Sequence, residues 1–368
     1  MLALTGLYRC VKVTVFKLEM RHYCTAELVA PRAISHFEVT KSTNENSTTG
    51  CLISFVFPEE RSFPKVTLLA MHGKVVRYSE TLWAVYLHSE YPGIETDCAG
   101  TLISEQHVLT AAHCFYSEIC NDSPLKCAIP SLWRRKTKEW LSSWTVYHSG
   151  ECIPFSDDKC ERGHIEAIPC KIRSVIVPKV FFDENCTRGD LAIIELQEKI
   201  FPAFLARPLC LASKESDVPP KAELASWGSD ASRIRSVTTL TRINIKTIVC
   251  PKEMLFSEAI CASESQDENI CKGDSGAGMV YRDKEGRRHV IGIASYGTDC
   301  RIIQMALDYR DELDEWDKLK ELKGSVFTDI RPFTDFICKY TGVCRDGQRT
   351  IDDDQRAIKD TRDAVIQY

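Results

Sequence analysis

A serine flanked by glycines lies within residues 271–278, which read CKGDSGAG. Glycines on both sides of Ser275 allow the backbone to turn sharply, so that neighbouring main-chain N–H groups converge on one point. Such converging donors stabilise the oxyanion that forms when a serine attacks a carbonyl carbon. The segment therefore indicates nucleophilic acyl transfer, although a lone GDSG also fits an ordinary turn.

Two further segments supply the residue types that a serine nucleophile needs. Residues 109–114 (LTAAHC) place His113 after an apolar run, and residues 188–196 (RGDLAIIEL) place Asp190 before another. Histidine titrates close enough to neutrality to take a proton from the serine and return it. Taken singly, His113 fits a core histidine and Asp190 a turn aspartate. In the order His, Asp, Ser, the three predict a catalytic triad.

The predicted reaction is transfer of an acyl group to water through an acyl-enzyme. The aspartate would hold the imidazole tautomer and stabilise its charged form. The N–H groups of Gly273 and Ser275 would bind the oxyanion, each contributing on the order of 10²–10³ in rate.

The elements that must position these residues are short apolar runs separated by turn residues. Five runs rich in β-branched and aromatic residues are residues 83–87, 100–103, 107–112, 191–196 and 290–296. Their length and spacing predict an all-β barrel or sandwich. Residues 301–323 contain no Gly or Pro and predict a helix, and a shorter helix is expected at 333–340.

The three segments resemble the TAAHC, DIALL and GDSGG signatures of the trypsin/chymotrypsin family of serine proteases. Residues 98–104 (CAGTLIS), 225–228 (ASWG) and 292–297 (GIASYG) extend the likeness, which covers residues 71–344. The resemblance implies an all-β fold of two six-stranded antiparallel barrels, with the triad in the cleft between them and a short C-terminal helix. It implies no cofactor.

The resemblance also implies three disulfides, which are Cys98–Cys114, Cys250–Cys261 and Cys271–Cys300. Cys210 lies where some family members bridge to an upstream cysteine, and Cys51 is a candidate partner. The remaining pairs are not assigned, but several cysteines fall between His113 and Asp190. They predict an extra loop stapled by disulfides in this interval.

For the substrate pocket, the resemblance places Asn269 at the floor of the primary pocket. Trypsin-like members that select Arg and Lys carry an aspartate there, so a cationic substrate side chain would lack its counter-charge. No strong trypsin-like preference is therefore expected. The opposite wall is expected to be Ser295, Tyr296 and Gly297, with Gly324 or Ser325 at the back, and Ser295 is also expected to help seat Asp190.

Activation is expected to depart from the family. Members are usually activated by cleavage after a basic residue, which frees an amino terminus that pairs with the aspartate before the serine, here Asp274. Residues 70–74 read AMHGK, and no Arg or Lys precedes Met71. We therefore expect either that another group neutralises Asp274 or that the domain needs another activator.

The composition bears on which binding partners and which cellular compartment are expected. The 368 residues carry a net charge of −5, which provides no basic excess for nucleic acid or an anionic membrane surface. Eighteen scattered cysteines, without an H-E-x-x-H motif or paired C-x-x-C modules, predict disulfides in a secreted protein and no metal site. Sequons at Asn46, Asn121 and Asn185 predict glycosylation.

Three segments are expected along the chain. Residues 1–70 are interpreted as an appendage or pro-region, 71–344 as the peptidase domain, and 345–368 as a mobile polar tail. The first residues lack the basic start and cleavage site of a signal peptide, so either the true start lies elsewhere or the leader is atypical. No apolar run approaches the roughly 18 residues of a membrane span.

The leading hypothesis is a monomeric, secreted serine endopeptidase, with protein or peptide substrates and protease inhibitors as its partners. The alternative is a catalytically silent binding or regulatory protein with a protease fold. A cysteine-rich structural protein would not explain the ordered triad, and a metal enzyme would lack its ligand motif.

Overall fold

The computed structural model describes residues 73–91, 95–116, 138–153, 160, 163–200, 206–229, 239–251, 258–264, 268–303, 324–344 and 363–367. Within these ranges, we find no helix with both the length and the hydrophobicity needed to cross a membrane.

Short strands dominate the described residues. In chain order they are β1 (Lys74–Val75), β2 (Ala84–Glu90), β3 (Glu95–Leu102), β4 (His107–Thr110), β5 (Trp144–His148), β6 (Ile168–Pro178), β7 (Ala192–Leu196), β8 (Cys210–Leu211), β9 (Lys221–Ser226), β10 (Thr241–Ile248), β11 (Ala259–Ala262), β12 (Gly278–Arg282), β13 (Arg288–Tyr296), β14 (Ser325–Asp329) and β15 (Ala364–Gln367). The helices described with them are α1 (Lys138–Ser143), α2 (Lys179–Asp183) and α3 (Thr334–Thr341).

The first barrel contains six antiparallel strands in the order β5-β2-β3-β4-β7-β6. It closes because β6 pairs with β5 along one part of its length and with β7 along another. Its core is apolar, and Leu87, Leu102, Leu109 and Ile193 are completely buried.

The second barrel contains β9, β10, β11, β14, β13 and β12, and it closes through the pairing of β9 with both β10 and β12. Strand β10 illustrates why the sequence forms strands here. Its Ile243 and Ile245 are buried, whereas the intervening Asn244 and the following Lys246 are exposed. This two-residue alternation matches the pleat of a strand with one face on the core.

The expected all-β architecture of two six-stranded antiparallel barrels is confirmed. Each of the five apolar runs overlaps a strand of the structure. The predicted short C-terminal helix is confirmed as α3. Of the predicted helix at 301–323, residues 301–303 are helical, and the rest lies outside the described residues.

Residues 363–367, within the tail that was expected to be mobile, are described as a strand and its approach. Strand β15 pairs antiparallel with β6, with Ala364 opposite Pro178, and both Ala364 and Val365 are buried. Asp363 also accepts hydrogen bonds from Lys339 at 2.8 Å and from Tyr340 at 2.6 Å. Residues 363–367 therefore pack against β6, and the mobility expected of the tail stays a prediction. Residues 345–362 and the appendage at 1–70 lie outside the described ranges.

Disulfides connect the loops of both barrels. The pairs Cys98–Cys114, Cys250–Cys261 and Cys271–Cys300, which the family resemblance implied, are present. Cys152–Cys160 and Cys338–Cys344 are two further pairs. The Cys152–Cys160 bridge lies in the interval between His113 and Asp190. Cys186 and Cys210 are also disulfide-bonded, and Cys51 lies outside the described residues.

Candidate active site

Strand pairing brings His113 and Asp190 together. Strands β4 and β7 run antiparallel, and Thr110 at the end of β4 lies opposite Ala192 at the start of β7. His113 follows the end of β4 closely, and Asp190 shortly precedes β7. The two residues therefore emerge from the same end of the first barrel.

Both carboxylate oxygens of Asp190 bind His113, one at the imidazole and one at the backbone N–H. His113 Nδ1 lies 2.7 Å from Asp190 Oδ2, and the His113 backbone N–H donates to Asp190 Oδ1 at 2.8 Å. The imidazole is 27% exposed and the carboxylate 10%. A carboxylate accepts but does not donate, so this bond keeps the proton on Nδ1 and leaves Nε2 available as a base.

The second barrel also holds Asp190. The Ser295 hydroxyl, near the end of β13, donates to Asp190 Oδ2, and Thr328 Oγ1 on β14 donates to the Asp190 carbonyl oxygen at 3.0 Å. The aspartate thus lies at the junction of the two barrels.

Burial and ion pairing shift the pKa values of His113 and Asp190 in opposite directions. Burial alone would lower the pKa of His113, but the negative charge and hydrogen bond of Asp190 outweigh it, so the pKa is raised. Burial alone would raise the pKa of Asp190, but His113, together with the Ser295 hydrogen bond, lowers it. Each partner therefore favours the charged form of the other.

The loop that carries Ser275 belongs to the second barrel but lies against the first. The Ala99 N–H on β3 donates to the Ser275 carbonyl oxygen at 2.7 Å. Cys114 Sγ, in the residue after His113, lies 3.9 Å from the same oxygen. The serine loop is therefore docked beside the His113 segment.

Two glycines make this docking possible. Gly273 has φ of 96° and Gly276 has φ of 87°, a backbone region that side chains disfavour. A Cβ on Gly276 would also lie 2.2 Å from the carbonyl oxygen of Ala99 and 2.1 Å from Thr110 Oγ1. Only glycine therefore fits immediately after Ser275.

In the Ser275 loop, main-chain N–H groups that are hydrogen-bonded alternate with N–H groups that are not. The N–H groups of Asp274 and Gly276 are bonded to carbonyl oxygens. Those of Gly273 and Ser275 donate no hydrogen bond within the described ranges. The loop can thus offer two unused donors to a developing oxyanion.

The Ser275 hydroxyl has no hydrogen-bond partner among the described residues, His113 included. Hydrogen bonds between a nucleophile and its base commonly tighten only when substrate is bound. The structure thus joins His113 to Asp190 and docks the serine loop beside them, but it does not contain the bond between His113 and Ser275.

Asp274 is completely buried without a cationic partner in the described part of the chain. Its carboxylate accepts hydrogen bonds from the Ser226 hydroxyl, from the Gly228 N–H at 3.0 Å and from the Cys271 N–H at 2.6 Å. Burial raises the pKa of Asp274 to about 6, although these three donors oppose the rise. Neutral donors therefore hold this carboxyl group.

A cavity of about 490 Å³ opens beside Ser275. Ser295, Tyr296 and Gly297, which the sequence predicted as a wall, do line it. Asn269 and Ser325 are 2% and 3% exposed and are not among the lining residues. Both therefore lie behind the surface that lines the cavity.

The three predicted glycosylation sites fall in different parts of the chain. Asn46 and Asn121 lie outside the described residues. Asn185 is exposed and has φ of 54°, in the turn after α2.

One acidic residue beside the cavity was missed by the sequence reasoning. Glu264 Oε1 accepts hydrogen bonds from the Thr298 N–H at 2.7 Å and from Ser325 Oγ at 3.4 Å. Thr298 lines the cavity. No motif contains Glu264, so only the tertiary structure could bring it to this place.

Comparison with known proteins identifies the family. The trypsin family model matches residues 72–134 and 165–307, more than half of the chain. The chain is 28% identical over 282 residues to the trypsin-like protease try-5 of Caenorhabditis elegans, an alignment that covers 70% of this chain and 82% of the relative.

Two other relatives are longer than the region they share with this chain. Mannan-binding lectin serine protease 1 of Mus musculus is 24% identical over 269 residues, covering 67% of this chain and 32% of the relative. Phenoloxidase-activating enzyme 1 of Spodoptera litura is 26% identical over 213 residues, covering 55% and 52%. The chain spans about a third of the first of these proteins and about half of the second. By its match to the family model, the chain belongs to the trypsin family of serine proteases.

Proposed function

We propose that this chain is a serine endopeptidase whose triad is His113, Asp190 and Ser275, carried by a peptidase domain of residues 71–344. The observation that supports it most is the 2.7 Å bond between His113 Nδ1 and Asp190 Oδ2 beside the docked Ser275 loop. Family membership alone implies a serine protease, and this geometry supports the choice of these three residues.

The chemistry follows from the donors and acceptors present. Ser275 Oγ attacks the peptide carbonyl carbon as His113 Nε2 takes its proton, and the C–N bond breaks as the same proton passes to the leaving amine. Water then attacks the acyl-enzyme ester with His113 again as base, which releases the acid and regenerates the Ser275 hydroxyl. The unused N–H groups of Gly273 and Ser275 bind the oxyanion in both steps.

The proposed substrates are proteins or peptides that lie along Ser295, Tyr296 and Gly297, and protease inhibitors would dock on the same surface. Asn269 contributes no negative charge to the pocket, so any charge selection must come from another residue. The disulfides of the described residues favour an oxidising, extracellular location. We further propose glycosylation at the exposed Asn185 and a monomeric state.

A fluorophosphonate probe tests the proposed nucleophile. The oxidised protein is expected to react with the probe, and mass spectrometry of the digest should locate the adduct on Ser275, because only an activated serine attacks such a phosphorus centre at a useful rate. Heat-denatured protein is the control, since it keeps the residue but loses the site. An adduct on another serine, or equal labelling after denaturation, would contradict the assignment.

The pH dependence of kcat/KM tests the base. His113 must be neutral to accept a proton, and Asp190 raises the pKa of His113 above its usual 6.5. Activity is therefore expected to rise with pH and to reach half its maximum above pH 6.5. The measurement is kcat/KM for one peptide substrate from pH 5 to 9, in buffers of constant ionic strength. A half-maximum clearly below 6.5 would oppose the proposed pair.

A catalytically silent binding protein remains the second candidate, and one observation favours it. Asp274 has only neutral hydrogen-bond donors in the described residues, whereas an active family member is expected to pair this carboxylate with an amino terminus. Absence of probe labelling, both before and after limited proteolysis, would favour this candidate.

A further inference from the structure

We propose that the ion pair between Arg188 and Glu258 positions Asp190 by fixing the segment that carries it to the second barrel. The inference rests on the proposed function, because the pair would act on the reaction through Asp190. Neither residue is assigned a contact with the reacting atoms, so both are positioning residues. Loss of the pair should therefore impair the chemical step more than it impairs substrate binding.

The ion pair joins the two barrels beside the candidate triad. Arg188 lies two residues before Asp190, in the segment that enters β7 of the first barrel, and Glu258 directly precedes β11 of the second. Arg188 Nε donates to Glu258 Oε2 at 3.0 Å, and Arg188 Nη2 donates to Glu258 Oε1. Two hydrogen bonds from one planar guanidinium fix both the distance and the orientation of the partners.

The segment around Arg188 has little regular structure of its own. Residues 184–191 belong to neither a helix nor a strand, and the N–H groups of residues 188–190 donate to no backbone carbonyl among the described residues. Cys186 is disulfide-bonded, which holds the start of the segment. Contacts from other elements must therefore fix the path between Cys186 and Asp190.

The second barrel provides these contacts. Ala259, the residue after Glu258, pairs with Thr328 in the ladder between β11 and β14. Thr328 Oγ1 in turn donates to the Asp190 carbonyl oxygen at 3.0 Å. The same two strands therefore hold the segment twice, once through the Arg188 side chain and once through the Asp190 backbone.

Partial burial makes this ion pair stronger than an exposed one. The Glu258 side chain is 13% exposed and the Arg188 side chain 35%, so water screens their attraction only in part. Glu184 Oε1 also lies 3.8 Å from Arg188 Nη1, but the Glu184 side chain is 49% exposed. Glu258 is therefore the main partner of Arg188, because it is less exposed and accepts two hydrogen bonds.

The ion pair also lines a second cavity, which shares a wall with the cavity beside the candidate nucleophile. This second cavity has a volume of about 360 Å³, and Arg188, Glu258 and Asp190 are among its lining residues. Ser295 and Tyr296 line both cavities. A displacement of the ion pair is therefore expected to reach the Asp190 carboxylate and the wall of the substrate cavity.

A double-mutant cycle is the first test. Arg188→Gln and Glu258→Gln should each lower kcat for a peptide substrate by about 10- to 100-fold, the range in which a 1 Å misplacement of catalytic groups falls, while KM changes little. The double variant should lose no more than either single variant, because the second substitution acts on an ion pair that is already broken. Arg188→Lys should have an intermediate kcat, because lysine keeps the charge but cannot form both hydrogen bonds in the same plane.

Arg173→Gln is the matched control. Arg173 also pairs with a glutamate, Glu195, at 3.0 Å, but the Arg173 side chain is half exposed and both residues belong to the first barrel. This variant makes the same charge change and should keep the wild-type kcat. An unchanged kcat in Arg188→Gln, a loss confined to KM, or additive losses in the double variant would each overturn the inference. If melting curves show that Arg188→Gln does not fold, a wild-type kcat in Arg188→Lys would overturn it.

Amide hydrogen exchange tests the inference without catalysis. The His113 backbone N–H donates to Asp190 Oδ1 at 2.8 Å, so its exchange rate reports whether Asp190 stays in place. In the Ser275→Ala protein, Arg188→Gln should raise this rate by about 10-fold, the change expected when one hydrogen bond is lost. The rate at Ala212, whose N–H donates to a β13 carbonyl oxygen at 2.9 Å, should not change. NMR measures both rates in one sample.

The two experiments separate this inference from the proposed function. If exchange at His113 depends on Arg188 in a protein without peptidase activity, the result would count against the proposed function and support the ion pair as the positioning contact. If Arg188→Gln leaves exchange at His113 unchanged, the inference is overturned even for an active peptidase.

Discussion

Replacing Ser275 by alanine should lower kcat for a peptide substrate by about 10⁶-fold, the scale seen when a serine nucleophile of this type is removed. The substitution deletes the hydroxyl that His113 would deprotonate and leaves the N–H groups of Gly273 and Ser275 in place. A residual rate of about 10³–10⁴ over uncatalysed hydrolysis is expected, because the oxyanion donors and the substrate contacts persist. Steady-state hydrolysis of a fluorogenic peptide measures both quantities.

Ser213→Ala is the matched control for this variant. Ser213 pairs with Ser216 in the loop before β9 and is not among the residues that line the cavity beside Ser275. Its loss should leave kcat unchanged. Near wild-type activity in Ser275→Ala, after repurification to exclude a contaminating protease, would refute Ser275 as the nucleophile.

Replacing Asp190 by asparagine should lower kcat/KM by about 10⁴-fold while the protein remains folded. In the wild-type protein, Asp190 Oδ2 accepts hydrogen bonds from both His113 and Ser295. An amide NH₂ in its place donates hydrogen bonds and cannot accept them, so both of these bonds would be lost. The imidazole would then place its proton on Nε2, the nitrogen that must face Ser275 as a base. The substitution also removes the charge that raises the pKa of His113, so the acid limb of the pH profile should move to lower pH.

Asp183→Asn tests whether loss of any aspartate has this effect. Asp183 is exposed at the end of α2, where it pairs with Lys179. The Asp183→Asn variant should keep the wild-type rate and pH profile, because an exposed ion pair contributes little to stability. Melting temperatures of both variants separate a catalytic defect from unfolding. An unshifted acid limb in Asp190→Asn would argue that another group sets the pKa of the base.

The fold class was open to prediction because its signals are local. Apolar runs such as residues 191–196 alternate with turn residues, and each run is too short for a typical helix. The GDSG segment is also local, since Gly273 and Gly276 are required by their own positive φ and by the close approach of β3. The strands and the glycine turn can therefore be predicted from the local sequence, without knowing which distant residues they contact.

The sequence by itself determined the residue types of the candidate triad, their order and the two-barrel expectation that followed from the family resemblance. Only the tertiary structure decided that His113 meets Asp190 across 77 positions, that Ser295 binds the same carboxylate, and that β15 pairs with β6. It also decided that Glu264, which no motif contains, accepts a hydrogen bond from the Thr298 N–H in the cavity wall. The physical reason is that strand register and barrel closure depend on the packing of the whole chain, so neighbours distant in sequence leave no local pattern.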